Sequence, residues 1–365
     1  MVLPESMSPA AYSGPDRLLH RIALGSRPVM EMSFDIERAM FAKALAPESG
    51  SRPVFVCGLA RAGTSLVTRL LDSSGMFASL RYRDMPFPLA PNLWARLSGG
   101  NTRQVGAVER AHGDGLSHDL DTPEAIEEVF WRCFEGDRYI GSDGLFPRFP
   151  RPETLDAYRS LVGLVCLRSG RSRYLAKNNN HVLRLQSLID EFPDAVLVHP
   201  FRHPVKQAAS LLAQHRRTCA RQSLDPFSLS YARWLGHHEF GTDHRPHLLP
   251  GAPLPHENKF EMEYWLRCWE SIYSFLLNLG PSVRSRQVFV DYDELCRRPA
   301  EVLRVLATKV GCAPLDPSAV TVTGERAEIG QEFPVYAALR ARVLTNGASG
   351  AASNDGLHLG SSSRS

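Results

Sequence analysis

Short apolar runs alternate with amphipathic segments over most of the chain. The runs are rich in β-branched and aromatic residues, which is typical of buried strands in a parallel sheet; they lie at residues 53–57, 173–177, 195–200 and 287–292. The amphipathic segments carry apolar residues at helical spacing; they lie at residues 64–75, 181–192, 204–216, 261–279 and 299–310. This alternation predicts an α/β fold with three layers, in which a central parallel sheet is flanked by helices.

The regions around these elements predict the domain organisation of the chain. Residues 1–50 are expected to form an N-terminal helical extension, whose apolar helix face consists of Ile36, Met40, Phe41 and Leu45. A main domain is expected over residues 51–345, with insertions at about 84–170 and 217–260 that supply the pocket for a second substrate. Residues 346–365 are rich in Gly, Ser and Ala without an apolar period, which predicts a disordered tail.

Composition narrows the classes of protein to which these elements could belong. The 365 residues are 43% hydrophobic and 22% charged, as in globular proteins, and no apolar run approaches the roughly 20 residues of a membrane span. The net charge is only +3 and no basic run is present, so a nucleic-acid partner is not expected. The seven cysteines form no CxxC pair and the N-terminus lacks an apolar signal segment, which favours a reduced, cytoplasmic protein.

The segment GLARAGTS, residues 58–65, lies between the first predicted strand and the first predicted helix of the main domain. It matches the phosphate-binding pattern Gly-x-x-x-x-Gly-Lys-Ser/Thr at both glycines, but Thr64 stands where the lysine belongs. Backbone N–H groups at such a loop, with the positive end of the following helix, create an anion site. Arg61 could supply the missing cation, although the same spacing also fits a simple turn between strand and helix.

The missing lysine limits the chemistry of this loop. Phosphoryl transfer from a nucleoside triphosphate needs the lysine and a divalent ion to offset several negative charges. Hydroxyl groups in its place suit a donor with fewer charges, such as a sulfuryl group on a nucleotide 5′-phosphate. Two alternatives to sulfuryl transfer remain. One is a kinase that uses Asp291 to hold a metal ion, and the other is a nucleotide-binding protein without catalysis.

Three segments of the chain share the order of motifs found in one enzyme family. The first is PVFVCGLARAGTSLVTRLL, the second runs from YLAKNNNHV through FPDAVLVHPFRHPVKQAAS, and the third is VFVDYDELCRRPAEVLRVLATKVG. Together, over about residues 53–312, they resemble the sulfotransferases that use 3′-phosphoadenosine 5′-phosphosulfate (PAPS). The chain departs from the usual pattern at Asn179 and Asn180, where Pro-Pro is common, and at His203, where an acidic residue is common.

This resemblance implies a P-loop-like fold, a reaction and a set of site residues. The reaction would move a sulfuryl group from the co-substrate PAPS to a hydroxyl or amine, with no metal ion. The residues implied to bind the 5′-phosphosulfate are Arg61, Ala62, Gly63, Thr64 and Ser65, and Arg61 would also be catalytic. Arg202 and Ser210 would bind the 3′-phosphate; Arg202 closes a predicted buried strand, and α/β proteins bind ligands at the carboxyl ends of their strands.

Other residues near these motifs have two possible roles. Lys177 ends a predicted strand and either faces the bound nucleotide or anchors a carboxylate. Tyr292 is expected to support packing at the end of its strand. Trp265 and Trp269 lie four residues apart on a predicted amphipathic helix, which indicates a core stripe.

Sulfuryl transfer also needs a base, because the acceptor loses a proton as its bond to sulfur forms. Asp84 follows the helix predicted at residues 64–75, where similar sulfotransferases of the protein-tyrosine and carbohydrate types carry an acidic base, and His118 and Asp119 are the second choice. The next helix offers Glu124, Glu127 and Glu128, of which the last two are expected to face opposite sides, so that only one points inward. Each of these residues could instead be an ordinary surface or capping residue.

The stretch HHEFGTDHRPH, residues 237–247, contains four histidines. It lacks the helical His-Glu-x-x-His spacing of a zinc site and contains Gly and Pro, so it predicts a solvated loop with possible substrate contacts. Acceptor identity stays open between carbohydrate, lipid, phenol and peptide. The expected partner is therefore a small-molecule or glycan acceptor.

Overall fold

A computed structural model describes residues 12–99, 125–255, 257–321 and 333–351, together with the backbone of residues 108–109 and 117–118. The helices α1 to α14 are Gly14–Gly25, Arg27–Phe41, Thr64–Ser73, Pro91–Leu97, Glu128–Tyr139, Pro152–Ser169, Leu185–Glu191, Pro204–Leu224, Pro226–Trp234, Met262–Leu277, Pro281–Arg284, Tyr292–Arg297, Pro299–Val310 and Pro334–Ala351. The strands β1 to β7 are Val54–Val56, Phe77–Ala78, Val108–Glu109, Ser117–His118, Arg173–Lys177, Val196–Phe201 and Gln287–Asp291. Short 3₁₀ helices lie at Ala42–Ala44, Tyr82–Asp84, Asn179–Leu183 and Pro317–Ala319.

The main sheet has five parallel strands in the order β2-β5-β1-β6-β7. All four predicted strands are present, and β1 lies at the centre with β5 and β6 on either side. Val56 of β1 is in register with Lys177 of β5 and with Val198 of β6. Since parallel strands end at one edge, the loops that follow β1, β5 and β6 emerge side by side.

Alternate residues of each strand enter two different cores, as the period of two in a strand requires. On β1, Phe55 packs into a large cluster with α5, α6 and α10, whereas Val54 and Val56 pack into a smaller cluster with α3 and α13. The sheet is therefore covered by helices on both faces. This arrangement confirms the predicted three-layer α/β fold.

The N-terminal helices contribute to the larger core. Met30, Phe34 and Phe41 of α2 are buried there, but Ile36 and Met40 are 41% and 51% exposed. The predicted apolar face is therefore correct only in part: Phe41 and Leu45 pack in this core, whereas Ile36 and Met40 do not, because α2 turns a face one step around the helix toward the core. The buried residue between Phe34 and Phe41 on that face is Glu37, which accepts hydrogen bonds from the backbone and side chain of Asn92.

Several element boundaries differ from the sequence prediction. The helix predicted at 181–192 is divided into the 3₁₀ turn Asn179–Leu183 and α7, and α8 continues to Leu224. The last helix reaches Ala351, so the predicted start of the tail at residue 346 falls inside it, and residues 352–365 lie outside the described part. Within the described residues, no helix combines the length and the apolar character that crossing a bilayer requires.

Candidate functional site

The loop between β1 and α3, residues 58–65, is called the donor loop below. Its conformation depends on Gly63, which has a φ of 88° and precedes the first residue of α3. A Cβ at this position would lie 2.3 Å from the ring of Tyr292. Glycine is therefore required both for the left-handed backbone and for the close approach of the aromatic ring.

Arg61 lies in the middle of the donor loop with a φ of 66°, an uncommon conformation for a residue with a side chain. Its Nε donates a hydrogen bond to Oγ of Ser210 at 3.0 Å. Ser210 lies on α8, which follows β6. The structure thus brings together two predicted site residues that are 149 positions apart in the chain.

Arg202 follows β6 directly, and its guanidinium lies 5.2 Å from the centre of the Tyr292 ring. Its Nε is 4.0 Å from Oδ1 of Asp293 and, within the described residues, has no hydrogen-bond partner. Lys206 lies 3.8 Å from the same carboxylate oxygen. Tyr292 packs between Gly63 and Arg202, in agreement with the supporting role predicted for it, and it joins the donor loop to this basic group.

The remaining predicted donor residues occupy the same sheet edge. Ala62 and Thr64 are buried, whereas Ser65 is half-buried on the first turn of α3. Lys177 is half-buried at the end of β5, and its charge acts on the carboxylate of Glu239. The predicted set is therefore gathered over the ends of β5, β1 and β6.

Asp84 ends the 3₁₀ helix Tyr82–Asp84, which follows β2, the outermost strand on one side of the sheet. It is 4% exposed and accepts a hydrogen bond from the backbone N–H of Arg81 at 2.8 Å. Burial raises the pKa of Asp84 to about 6, although the Arg81 amide and the charge of Arg168 act in the opposite direction. Strand β5 separates β2 from β1 and its donor loop.

His118 belongs to the short strand β4, which pairs with β3, but its side chain and all of Glu124 lie outside the described residues. Glu127 and Glu128 are both buried, at 2% and 1% exposure, so the prediction that only one points inward is wrong. Glu127 ends the turn before α5 and Glu128 is the first residue of that helix, so the two side chains do not follow regular helical spacing.

These two glutamates are fully engaged by other side chains. Oε1 of Glu127 lies 2.7 Å from Nε2 of His181, and its Oε2 accepts a hydrogen bond from Tyr174 at 2.8 Å. Arg184 donates two hydrogen bonds to Glu128, at 2.9 and 3.0 Å. Burial by itself would raise the pKa of Glu127, but His181 and the hydrogen-bond donors outweigh it and lower the pKa to about 2. Both carboxylates are suited to holding the structure rather than to receiving a proton.

The stretch of residues 237–247, called the His-rich loop below, is packed rather than solvated. His238 and His244 are 4% and 6% exposed. Nε2 of His244 is 2.7 Å from the Tyr264 hydroxyl, and Nε2 of His247 is 2.9 Å from Oδ1 of Asn180. Among the described residues, no group of His, Cys, Asp and Glu could hold a metal ion. The prediction of a solvated loop is wrong because these rings find long-range polar partners.

Glu239, in the His-rich loop, is a further candidate for a functional residue, although no sequence motif surrounds it. Its Oε1 accepts a hydrogen bond from Nδ2 of Asn179 at 3.1 Å, and it lines a pocket together with Leu59 and Ala60 of the donor loop. The sequence offers no signal for this role, because Asn179 lies 60 positions away.

The sequence profile of the sulfotransferase family matches residues 53–255, more than half of the chain and the part that contains the donor loop, Arg202 and Ser210. The chain belongs to the sulfotransferase family, whose chemistry is sulfuryl transfer. A comparison with curated proteins finds no match.

Solved sulfotransferase structures align with most of the chain at low sequence identity. STF1 from Mycobacterium tuberculosis is 17% identical with a TM-score of 0.45, covering 84% of this chain and 78% of that protein. STF9 from Mycobacterium avium is 18% identical with a TM-score of 0.44, covering 82% and 72%. A sulfotransferase from Alicyclobacillus acidocaldarius is 17% identical with a TM-score of 0.36, covering 81% and 93%. Membership of the family rests on the profile match and not on these alignments.

Proposed function

We propose that the protein moves a sulfuryl group from PAPS to a hydroxyl or amine of an acceptor. The proposal is carried by the hydrogen bond between Arg61 and Ser210, because it joins the donor loop to the segment that begins at Arg202. A nucleotide with charged groups on both its 5′ and 3′ carbons needs two anion sites at one sheet edge. The donor loop and the Arg202 segment supply one site each.

Two features of the site fit such a nucleotide. Gly63 precedes α3 and has no side chain to cap it, so the first N–H groups of the helix can donate hydrogen bonds to an anion. The Nε of Arg202 is buried and, within the described residues, lacks a hydrogen-bond acceptor, which a phosphate oxygen would supply.

The roles follow from these positions. Arg61, with Ala62, Gly63, Thr64 and Ser65, would bind the 5′-phosphosulfate, and Arg61 would donate to the oxygen on which charge develops as the bond to sulfur breaks. Arg202 and Ser210 would hold the 3′-phosphate, and Lys177 would face the nucleotide. Asp84 and His118 remain predictions for the base.

A kinase would need a lysine in the loop and an acid to hold a metal ion. Thr64 occupies the lysine position. The Oδ1 of Asp291 accepts hydrogen bonds from the N–H groups of Asp293 and Glu294, so this carboxylate already caps α12. These observations favour sulfuryl transfer over phosphoryl transfer.

Ligand binding tests the proposal directly. Thermal unfolding is measured with adenosine 3′,5′-bisphosphate, AMP, ATP and GTP, each with and without magnesium. The bisphosphate should stabilise the protein without magnesium and more than AMP does; at a hundred times its Kd it adds about 2.7 kcal/mol. Equal stabilisation by AMP, or a requirement for ATP with magnesium, would reject the proposal.

A further inference from the structure

A buried glutamine on α8 lies between the donor loop and the segment that begins at Arg202. Gln207 is in the first turn of this helix to follow Pro204, and its exposed fraction is 0%. Water cannot reach its side-chain amide, so the protein itself has to supply the hydrogen-bond partners. The partners that the amide contacts belong to both parts of the proposed donor site.

The amide nitrogen of Gln207 binds the donor loop. Its Nε2 donates hydrogen bonds to the carbonyl oxygens of Ala60 at 2.9 Å and of Leu59 at 3.4 Å. Ala60 is joined to Arg61 by a trans peptide bond, in which the C=O and the N–H point in opposite directions. The bond to Gln207 therefore turns the N–H of Arg61 away from the buried side of the loop.

The amide oxygen of Gln207 holds the backbone of Arg202. Its Oε1 accepts hydrogen bonds from the backbone N–H of Arg202 at 3.3 Å and from Nε1 of Trp269 at 3.1 Å. The same Nε1 of Trp269 lies 3.2 Å from the carbonyl oxygen of Arg202. Both polar groups of the Arg202 backbone are bound in this way, so its guanidinium extends from a fixed point.

The network continues into α10, where Trp269 and Tyr273 are buried side chains. The Tyr273 hydroxyl donates a hydrogen bond to the carbonyl oxygen of Pro200 at 2.9 Å, and it lies 3.4 Å from Nε2 of Gln207. The end of β6 and the donor loop are thus connected through the core. This connection is separate from the hydrogen bond between the half-buried side chains of Arg61 and Ser210.

An amide side chain suits these partners. The carbonyl oxygens of Leu59 and Ala60 require a donor, whereas the N–H groups of Arg202 and Trp269 require an acceptor. Glutamine carries one group of each kind at a fixed spacing. A methionine at position 207 has similar length but would leave these buried groups without the amide, which is unfavourable.

We propose that Gln207 is a positioning residue that couples recognition of the 5′ and 3′ ends of the donor nucleotide. This inference rests on the proposed function. The amide sets the distance between the donor loop and Arg202 before the nucleotide binds. A ligand held at both ends gains affinity from this arrangement, because less conformational freedom is lost on binding. A ligand held at one end gains less, since each site can adjust to it separately.

The test measures three ligands on the full-length chain by calorimetry: adenosine 3′,5′-bisphosphate, 5′-AMP and 3′-AMP. Gln207→Met keeps the length of the side chain and removes its hydrogen bonds. It should raise the Kd for the bisphosphate by about tenfold or more, within the range of couplings between groups in one network. The Kd for each monophosphate should rise by about threefold or less, because neither ligand spans the two sites.

Gln214→Met is the matched control for loss of a buried amide. Gln214 lies about two turns further along α8 and is 1% exposed. Its amide bonds to Arg217 and Thr218 of the same helix. The control should lower the melting temperature, as Gln207→Met does, but leave all three Kd values within about twofold, because distant sites act independently.

Trp269→Phe supplies a second variant, which tests the inference even where Gln207→Met fails to fold. It keeps an aromatic ring in the core and removes the N–H that contacts Oε1 of Gln207 and the carbonyl oxygen of Arg202. The Kd for the bisphosphate should rise by about threefold to tenfold, and more than the Kd for 5′-AMP, since one neutral hydrogen-bond donor is lost.

Each outcome decides a different point. If the unmodified protein binds the bisphosphate no more tightly than 5′-AMP, the proposed function is overturned, and the coupling with it. If it prefers the bisphosphate but the preference persists in Gln207→Met or Trp269→Phe, the proposed function stands and the role of Gln207 is overturned. Equal losses for the bisphosphate and one monophosphate, or the same losses in Gln214→Met, also overturn the coupling and indicate a structural role.

Discussion

The donor loop and the His-rich loop face the same pocket, yet they are held by different kinds of interaction. The donor loop is shaped by its own backbone, with left-handed residues at Arg61 and Gly63 between β1 and α3. The His-rich loop is held by side chains from distant elements. Its His237 Nε2 lies 2.6 Å from the carbonyl oxygen of Ala125, and its His247 bonds to Asn180.

This difference predicts which property of the protein a substitution in each loop should change. Changes to the donor loop should alter ligand binding and turnover while the fold persists. The His-rich loop depends on the buried glutamates, since the side chain of Glu128 packs against Gly236, immediately before the loop. Changes there should therefore alter stability first.

The largest effect is expected at the buried glutamates beside the His-rich loop. Glu127→Gln leaves His181 without its charged partner in a fully buried site, so the free energy of unfolding should fall by about 3–5 kcal/mol in urea denaturation. Because the pKa of Glu127 is lowered to about 2, its stabilisation is complete above its unfolded value of about 4.3. The difference in the free energy of unfolding between the variant and the unmodified protein should therefore become smaller as pH falls from about 4 toward 2. Glu153→Gln, at an exposed carboxylate, is the control. A loss below about 1 kcal/mol in Glu127→Gln would contradict the structural role of the buried pair with His181.

Arg61→Ala should give the next largest effect, and on the donor side alone. Turnover should fall by about 10²–10³-fold, as when one preorganised donor is removed from a developing charge. The melting temperature should stay close to that of the unmodified protein, because alanine and arginine both carry a Cβ at this left-handed position. Arg304→Ala, on the exposed surface of α13, serves as control. Loss of folded protein instead would make Arg61 a structural residue.

Arg202→Ala should remove the preference for adenosine 3′,5′-bisphosphate over AMP. A charge-assisted hydrogen bond to phosphate contributes about 1.5–3 kcal/mol, which corresponds to about tenfold to a hundredfold in affinity measured by calorimetry. Lys206→Ala removes a second charge beside Asp293 and should reduce the preference less. Equal reductions in the two variants would show that net charge, rather than Arg202 itself, recognises the 3′-phosphate.

Ser210→Ala should give the smallest effect. It deletes one neutral hydroxyl, so the Kd for the bisphosphate should rise by about twofold to tenfold. Ser223→Ala, near the other end of α8, is the matched control because its exposed hydroxyl bonds only to the backbone of the same helix. No difference between the two variants would remove Ser210 from the donor site.

The amino-acid sequence by itself predicted the local structure around the donor loop well. The strand, loop and helix around residues 58–65 are contiguous, so apolar periodicity and glycine placement report on them directly. Buried strands of a parallel sheet are apolar on both faces, and for this reason β1, β5, β6 and β7 were visible as short runs. The order of Arg202, Pro204 and Ser210 likewise predicted the end of β6 and the start of α8, and the anion site proposed there stays a prediction.

Only the tertiary structure decided the surroundings of the His-rich loop. The inward turn of both Glu127 and Glu128, the contact of His244 with Tyr264, and the contact of Glu239 with Asn179 each depend on partners many residues away. The exposed Ile36 and Met40 of α2 show the same limit, since periodicity cannot tell which of two adjacent faces meets a core. Neighbouring residues determine local backbone preferences. The hydrogen-bond partners of buried polar side chains, in contrast, depend on which groups the complete fold brings close to them.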